Sequence, residues 1–221
     1  SDLLQHNMPV AAAQAIDVVC PEPFVFEHPF TCIIAGPTQA GKTSFLKELL
    51  EHQTTLIKPS PQRIIYCYKR WHPLLSQMQA TNPHMKFVKG IPPDLEEDSF
   101  LDPTKRNLLI LDDLMGSMDN NNKAISELFT EGSSHRNTSV ILLLQNFYHK
   151  GTVEIRKNTL YMVLFQMPGD GQAIQAEARQ IFPDNPGYMV KQYREATAKK
   201  YGYLVVDKKT GRSMTERRSE E

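Results

Sequence analysis

The sequence predicts an α/β fold, a mainly parallel central sheet with helices on both faces in a three-layer α/β/α arrangement. Three observations carry this. Short runs rich in Ile, Val, Leu and Tyr alternate with helical patterns, the rhythm of parallel strands joined by crossover helices. Some of these runs, Ile141-Leu142-Leu143-Leu144 above all, are apolar at consecutive positions, as a strand buried on both faces requires. A glycine-rich turn stands between the first interior run and the first helical pattern.

Taken in order, residues 1–30 carry Pro9, Pro21, Pro23 and Pro29 around Phe24, Val25 and Phe26, which suggests an arm or edge hairpin lying on the core. Strands are expected at 31–35, 63–68, 108–111, 139–144, 160–165 and 201–206. Helices are expected at 43–51 and 123–130, where Phe45, Leu46, Leu49 and Leu50, and then Ala124, Ile125, Leu128 and Phe129, share one spacing. Two more are expected at 172–181, ended by Pro183, and from Asn185-Pro186 toward Ala196. Pro92, Pro93 and Pro103 make the acidic stretch 94–102 a loop. From Asp207 apolar periodicity stops, which predicts a flexible charged tail. The expected organisation is an arm (1–30), one catalytic domain (31–206) and the tail (207–221).

Composition narrows the function. The 221 residues hold 25 Lys and Arg against 25 Asp and Glu, which argues against a protein that holds nucleic acid or anionic membrane chiefly by long-range attraction. The neutral total hides unequal segments: residues 91–119 carry eight acids against two bases, and residues 191–221 nine bases against five acids. Any contact with DNA must therefore be local. Cys20, Cys32 and Cys67 are an odd, scattered set that supports neither a disulfide framework nor a metal site, and a reducing, intracellular setting is expected. No apolar run reaches the ~18 residues of a membrane helix, and the N-terminus lacks a basic start followed by an apolar segment.

The chemistry sits in Gly36-Pro37-Thr38-Gln39-Ala40-Gly41-Lys42-Thr43, which matches G-x-x-x-x-G-K-[ST] between a strand and a helix. Glycines let the backbone curl so that successive N–H groups, on into the first helical turn at Ser44, point at phosphate oxygens. Lys42 adds charge for the β- and γ-phosphates, and the Thr43 hydroxyl can ligate Mg²⁺. A partner acid is expected at the end of an apolar strand, and Leu108-Leu109-Ile110-Leu111-Asp112-Asp113 supplies it. Asp112 is the candidate metal partner and Asp113 the candidate base for water. Gln145, at the tip of the 139–144 strand, is the candidate sensor of the γ-phosphate. Arg136, just before that strand, is a candidate arginine finger supplied to a neighbouring subunit, with Arg156 a second candidate. Tyr68-Lys69-Arg70-Trp71-His72 and Phe147-Tyr148-His149-Lys150 mix cations with aromatics, so Lys69, Arg70 and Lys150 are candidate DNA contacts. Trp71 is equally a packing candidate.

These motifs, with residues 135–151, Arg156, residues 161–165 and 201–207, resemble the genome-packaging ATPases of the FtsK/HerA-like superfamily. The likeness is greatest to those of Polinton/Maverick elements, adintoviruses and virophages, with the poxvirus packaging ATPase more distant. It spans roughly residues 24–207 and implies a RecA-like P-loop NTPase core with an additional strand between the Walker A and Walker B strands. It also implies ATP and Mg²⁺ as cofactors, a pentameric or hexameric ring of identical subunits, and double-stranded DNA driven into a preformed capsid, with the capsid or a portal vertex as partner. The setting it implies is the host nucleus or a cytoplasmic virus factory, with the protein also virion-associated. Asp113 departs from the usual Glu and is shorter, so its reach to water depends on how the loop is set.

Other P-loop readings remain: a nucleotide or small-molecule kinase, a GTPase, a non-packaging translocase or helicase, or an interaction module with a relic loop. A GTPase is disfavoured because Asn122-Lys123 is not followed by the Asp of N-K-x-D. An ABC protein is disfavoured because no L-S-G-G-Q-like segment occurs.

Overall fold

Strands form where the apolar runs lie, and more form beside them. The computed structural model describes residues 10–12, 24–95, 97–115, 119–147 and 151–215. In chain order the elements are β1 (Val10–Ala12), β2 (Phe26–Glu27), β3 (Thr31–Ala35), α1 (Lys42–Glu51), α2 (Gln53–Leu56), β4 (Ile57–Lys58), β5 (Arg63–Tyr68), α3 (Pro73–Thr81), β6 (Lys86–Lys89) and β7 (Asn107–Asp112). Then follow α4 (Asp119–Glu127), a π-helical turn (Leu128–Gly132), α5 (Ser133–His135), β8 (Thr138–Leu144), α6 (Thr152–Lys157), β9 (Tyr161–Phe165), α7 (Gly171–Ile181), α8 (Pro186–Thr197), β10 (Tyr203–Asp207) and β11 (Arg212–Thr215). No helix among the described residues is long and apolar enough to cross a membrane.

Among the described residues a nine-stranded sheet runs β1-β11-β10-β9-β3-β8-β7-β5-β6, parallel from β9 across to β6. β10, β11 and β1 continue it antiparallel. β8 lies between β3 and β7, which is the additional strand the resemblance implies. Every residue of β3, β8 and β9 is buried, as consecutive apolar positions require. Alternate residues serve opposite faces: Cys32 and Ile34 of β3 pack with Phe45, Leu46, Leu49 and Leu50 of α1 and with Leu75 and Met78 of α3. Ile33 and Ala35 pack in the other core, with Ile125 of α4, Ile155 of α6, Ile174 of α7 and Met189 of α8. The chain leaves β3 toward β5 on one side and returns from β8 to β9 on the other. Those divergent crossovers open a crevice at the carboxyl ends of β3 and β8.

Both ends differ from the sequence reading. β2 is no hairpin; it pairs in parallel with β4, Phe26 opposite Ile57. Phe24, Phe26, Phe30 and Tyr161 pack together at ring separations of 5.0 to 5.7 Å. Most of the expected arm, residues 1–9 and 13–23, lies outside the described residues. Where a flexible tail is expected, Asp207 caps a turn by accepting from the N–H groups of Lys209 (2.9 Å) and Thr210 (3.2 Å), and β11 follows. A strand held by backbone pairing on both sides needs no apolar periodicity, which is why the charged segment gives no sign of it. Residues 216–221 lie outside the described residues.

The amino end of β8 is pinned by His28. Its Nδ1 lies 2.6 Å from Ser139 Oγ and its Nε2 2.8 Å from Asn137 Oδ1, while the Phe30 N–H donates to Ser139 Oγ at 3.1 Å. The network assigns a neutral ring that accepts from Ser139 and donates to Asn137. Burial holds this imidazole below its ordinary value, the Asn137 bond opposing and Arg106 adding to the fall. A depressed histidine contributes stability that is present above its unfolded value of ~6.5 and lost as pH falls through the folded one. Urea unfolding should accordingly show wild type losing its advantage over His28→Gln as pH drops below ~6.5; a pH-independent difference would contradict the assignment.

Candidate functional site

The turn after β3 folds as its glycines dictate. Gly36 cannot be replaced, since a Cβ there would meet Phe165 Cβ at 2.7 Å, and Gly41 takes φ 109° as the N-cap of α1. Gln39 also takes a left-handed φ of 65°. Ala40 N–H donates to Pro37 O (3.2 Å), closing the loop, and Gly36 N–H donates to Leu144 O (3.0 Å), tying the loop to β8. Gly41 brings no side chain to cap α1, so the first amides of the helix keep the character of an anion site. Pro37, Thr38 and Gln39 are exposed, Ala40, Lys42 and Thr43 half-buried, and Ser44 exposed at the start of the helix.

Lys42 turns back over this loop. Its ammonium donates to the carbonyls of Gly36 and Pro37, the latter at 2.9 Å. Burial pulls its pKa down, and the charges of Asp112 and Asp113 oppose that. Both carboxylates therefore act on the P-loop lysine, as the sequence pattern requires.

Asp112 ends β7 with its side chain 16% exposed. Tyr66, across the sheet on β5, donates its hydroxyl to Asp112 Oδ2 at 2.6 Å, and His72 Nε2 stands 3.8 Å from the same oxygen. Burial first, and then the Asp112 charge and hydrogen bond, push the Tyr66 phenol far up, so it stays a donor at any ordinary pH. Asp113 follows in a left-handed turn, φ 55°, where its N–H donates to Leu143 O (3.3 Å). Gln145 Nε2 donates to Asp113 Oδ2 at 3.3 Å. Lys42, Asp112, Asp113 and Gln145 thus gather at one edge of three adjacent strands. Thr43 and Asp112 present hard oxygen donors, a set that suits Mg²⁺.

Other candidates lie elsewhere. Arg136 is at the amino end of β8, the opposite edge of the sheet, with Nη1 3.8 Å from Asp98 Oδ1. Arg156 on α6 is 12% exposed; it donates to Phe147 O (2.7 Å) and Thr152 Oγ1 (3.1 Å) and pairs with Glu177 at 3.3 Å. Lys208 reaches the same Glu177 at 4.0 Å. Arg156 is a buried anchor of the segment that follows Gln145, and this placement sets it aside as a finger. Lys69 and Arg70 are exposed just past β5. Trp71 packs edge-on against Tyr68 and Phe87 at 5.2 and 5.1 Å and donates to Ser76 Oγ, a packing residue. Lys150 lies outside the described residues. The sequence reading missed Tyr66 and placed His72 only within a candidate DNA-contacting loop; nothing in an apolar run or a basic loop marks a donor to a carboxylate on another strand.

No family model and no curated protein sequence matches this chain. Solved structures do. The DNA-packaging ATPase of Sulfolobus turreted icosahedral virus superposes with a TM-score of 0.62 at 15% identity, over 87% of this chain and 99% of that one. The genome-packaging NTPase of Sulfolobus turreted icosahedral virus 2, solved with ATP-γS, gives 0.53 at 14% identity over 87% and 98%. EccC of Thermomonospora curvata (ATPases 2 and 3), solved with a signal sequence peptide, gives 0.54 at 15% identity over 100% of this chain and 42% of that one. These likenesses establish the P-loop NTPase fold.

The contrast between the two arginines is measurable. Arg156→Met leaves Glu177 buried with a weaker partner and should cost about 3 kcal/mol in urea unfolding, since breaking a buried ion pair typically costs that much. Arg136→Met, paired with an exposed carboxylate, should cost no more than about 1 kcal/mol.

Proposed function

We propose that the chain is an ATP-driven motor that translocates double-stranded DNA, and that it packages the DNA of a virus or mobile element into a capsid. The observation that supports this most is the meeting of Lys42, Asp112, Asp113 and Gln145 at the carboxyl edge of β3, β7 and β8. The fold likeness to a DNA-packaging ATPase supports the substrate. The likeness to the Polinton, adintovirus and virophage enzymes rests on the sequence motifs, as does action in the host nucleus or a cytoplasmic virus factory on a capsid or portal vertex.

In this reading the P-loop amides and Lys42 hold the β- and γ-phosphates. Thr43 and Asp112 would hold Mg²⁺, which when bound would supply charge neutralisation at the phosphate oxygens. Tyr66 keeps Asp112 oriented from the far side. Asp113 accepts the proton of a water as its oxygen bonds to the γ-phosphorus; the bond to the β–γ bridging oxygen breaks, and ADP and phosphate leave. Gln145, already bonded to Asp113, orients that water and carries the change in the γ-position into β8. Arg136 faces away from its own nucleotide and acts on a neighbour's in the ring, leaving Asp98 to do so.

ATP turnover should vanish in Lys42→Ala, whereas Asp113→Asn should still bind ATP while hydrolysing it at least about 100-fold more slowly. Duplex DNA should stimulate the wild-type rate, and the stimulation should fall steeply between low and physiological salt. A rate indifferent to DNA, with phosphate passed to a small acceptor, would instead mark a kinase. Mixed rings of Arg136→Ala and Asp113→Asn subunits should recover part of the activity that each lacks alone; no recovery would remove Arg136 from the site.

A further inference from the structure

β10 is antiparallel to β9, so it begins at the sheet edge where the parallel strands end. The turn that feeds it, residues 198–202, therefore arrives beside the P-loop, on the flank away from Asp112, Asp113 and Gln145. A Cβ placed on Gly41 would lie 3.5 Å from Tyr201 Cδ1 and 3.6 Å from Tyr201 Cβ, which sets the tyrosine against the N-cap of α1. Tyr201 is nevertheless 49% exposed. Lys200 Nζ lies over one face of its ring, 5.0 Å from the centroid, so that face is covered by an exposed lysine rather than by the packed core.

This placement is enforced. Tyr201 takes φ 64°, a conformation unusual for an aromatic residue. Its neighbour admits no alternative: a Cβ on Gly202 would meet Ala196 O at 2.1 Å, and Gly202 N–H donates to Lys199 O at 3.0 Å. A large ring held in an unfavourable backbone state, half in solvent, gains little from packing there, and strain of this kind collects at ligand sites.

We propose that Tyr201 is the base platform of the nucleotide site, its ring face stacking on the nucleobase. This rests on the nucleotide reading above, which fixes the direction of the ligand. The terminal phosphate points to the flank where the Asp112 and Asp113 charges act on Lys42, so the nucleoside leaves the P-loop by the other flank, past Gly41, where Tyr201 waits. Lys200 gives up the ring face to the base. Stacking on a phenol ring tolerates any base, so the contact contributes affinity rather than selection among bases.

Calorimetric titration with Mg-ATP and with tripolyphosphate, which has no base, tests this. Tyr201→Gly removes the ring and at the same time suits the positive φ, so the fold is retained, and equal melting temperatures check it. It should weaken ATP about tenfold and leave tripolyphosphate unchanged, whereas Tyr201→Phe should bind both as wild type does. ATP bound equally well by Tyr201→Gly would overturn the proposal. So would a parallel loss of ATP and tripolyphosphate, which marks a damaged P-loop, or a Tyr201→Phe defect as large as that of Tyr201→Gly. Wild type binding neither ligand would remove the nucleotide reading itself, and the platform with it.

Discussion

The candidate site depends on the register of three parallel strands. Ala35 of β3 stands beside Leu144 of β8, and Asp112 of β7 beside Leu143, so the P-loop, the paired acids and Gln145 leave the sheet at one level. Two bonds fix the level at its rim, Gly36 N–H to Leu144 O and Asp113 N–H to Leu143 O. A slip of one residue in β8 would exchange its faces, sending Ile141 and Leu143 into the core that holds Leu142 and Leu144. Because both faces of β8 are fully buried, that exchange meets packed side chains on either side, and register and site stand or fall together.

Much of this was legible in the sequence where one strong local rule applied. Runs apolar at every position mark interior strands, and the P-loop needs its glycines at fixed offsets, so β3, β7, β8 and α1 follow directly. The rest was hidden because it depends on a partner far along the chain. β6 is Lys86-Phe87-Val88-Lys89, an edge strand with charged ends whose pairing to β5 leaves no period-two signal. β11 lies in a run read as a solvated tail. Lys208 belongs to that same run and yet is 14% exposed and directed at Glu177, so a charged stretch does not by itself identify a surface.

The Arg156, Glu177 and Lys208 group joins α6, α7 and the end of β10 behind the loop that follows Gln145. Lys208 also donates to Arg156 O at 2.5 Å, and burial lowers its pKa while Glu177 opposes the fall. Buried charges of this kind bring little net stability but penalise misplacement heavily. Phe147, gripped through its carbonyl by Arg156 and packed beneath the guanidinium at 5.2 Å, has almost no freedom to drift. Movement of Gln145 is therefore confined to the two residues between β8 and this anchor.

Lys42 resting on the carbonyls of Gly36 and Pro37 bears on how tightly a nucleotide is held. The ammonium already has oxygen partners, so an arriving phosphate exchanges one set of ligands for another. The gain on binding is the difference between two liganded states, smaller than the full strength of a charge-assisted bond. The same carbonyls stand ready to take the lysine back when a product departs, so the loop is a reversible cradle: the partner that tempers arrival also assists exit, as a cycling site needs.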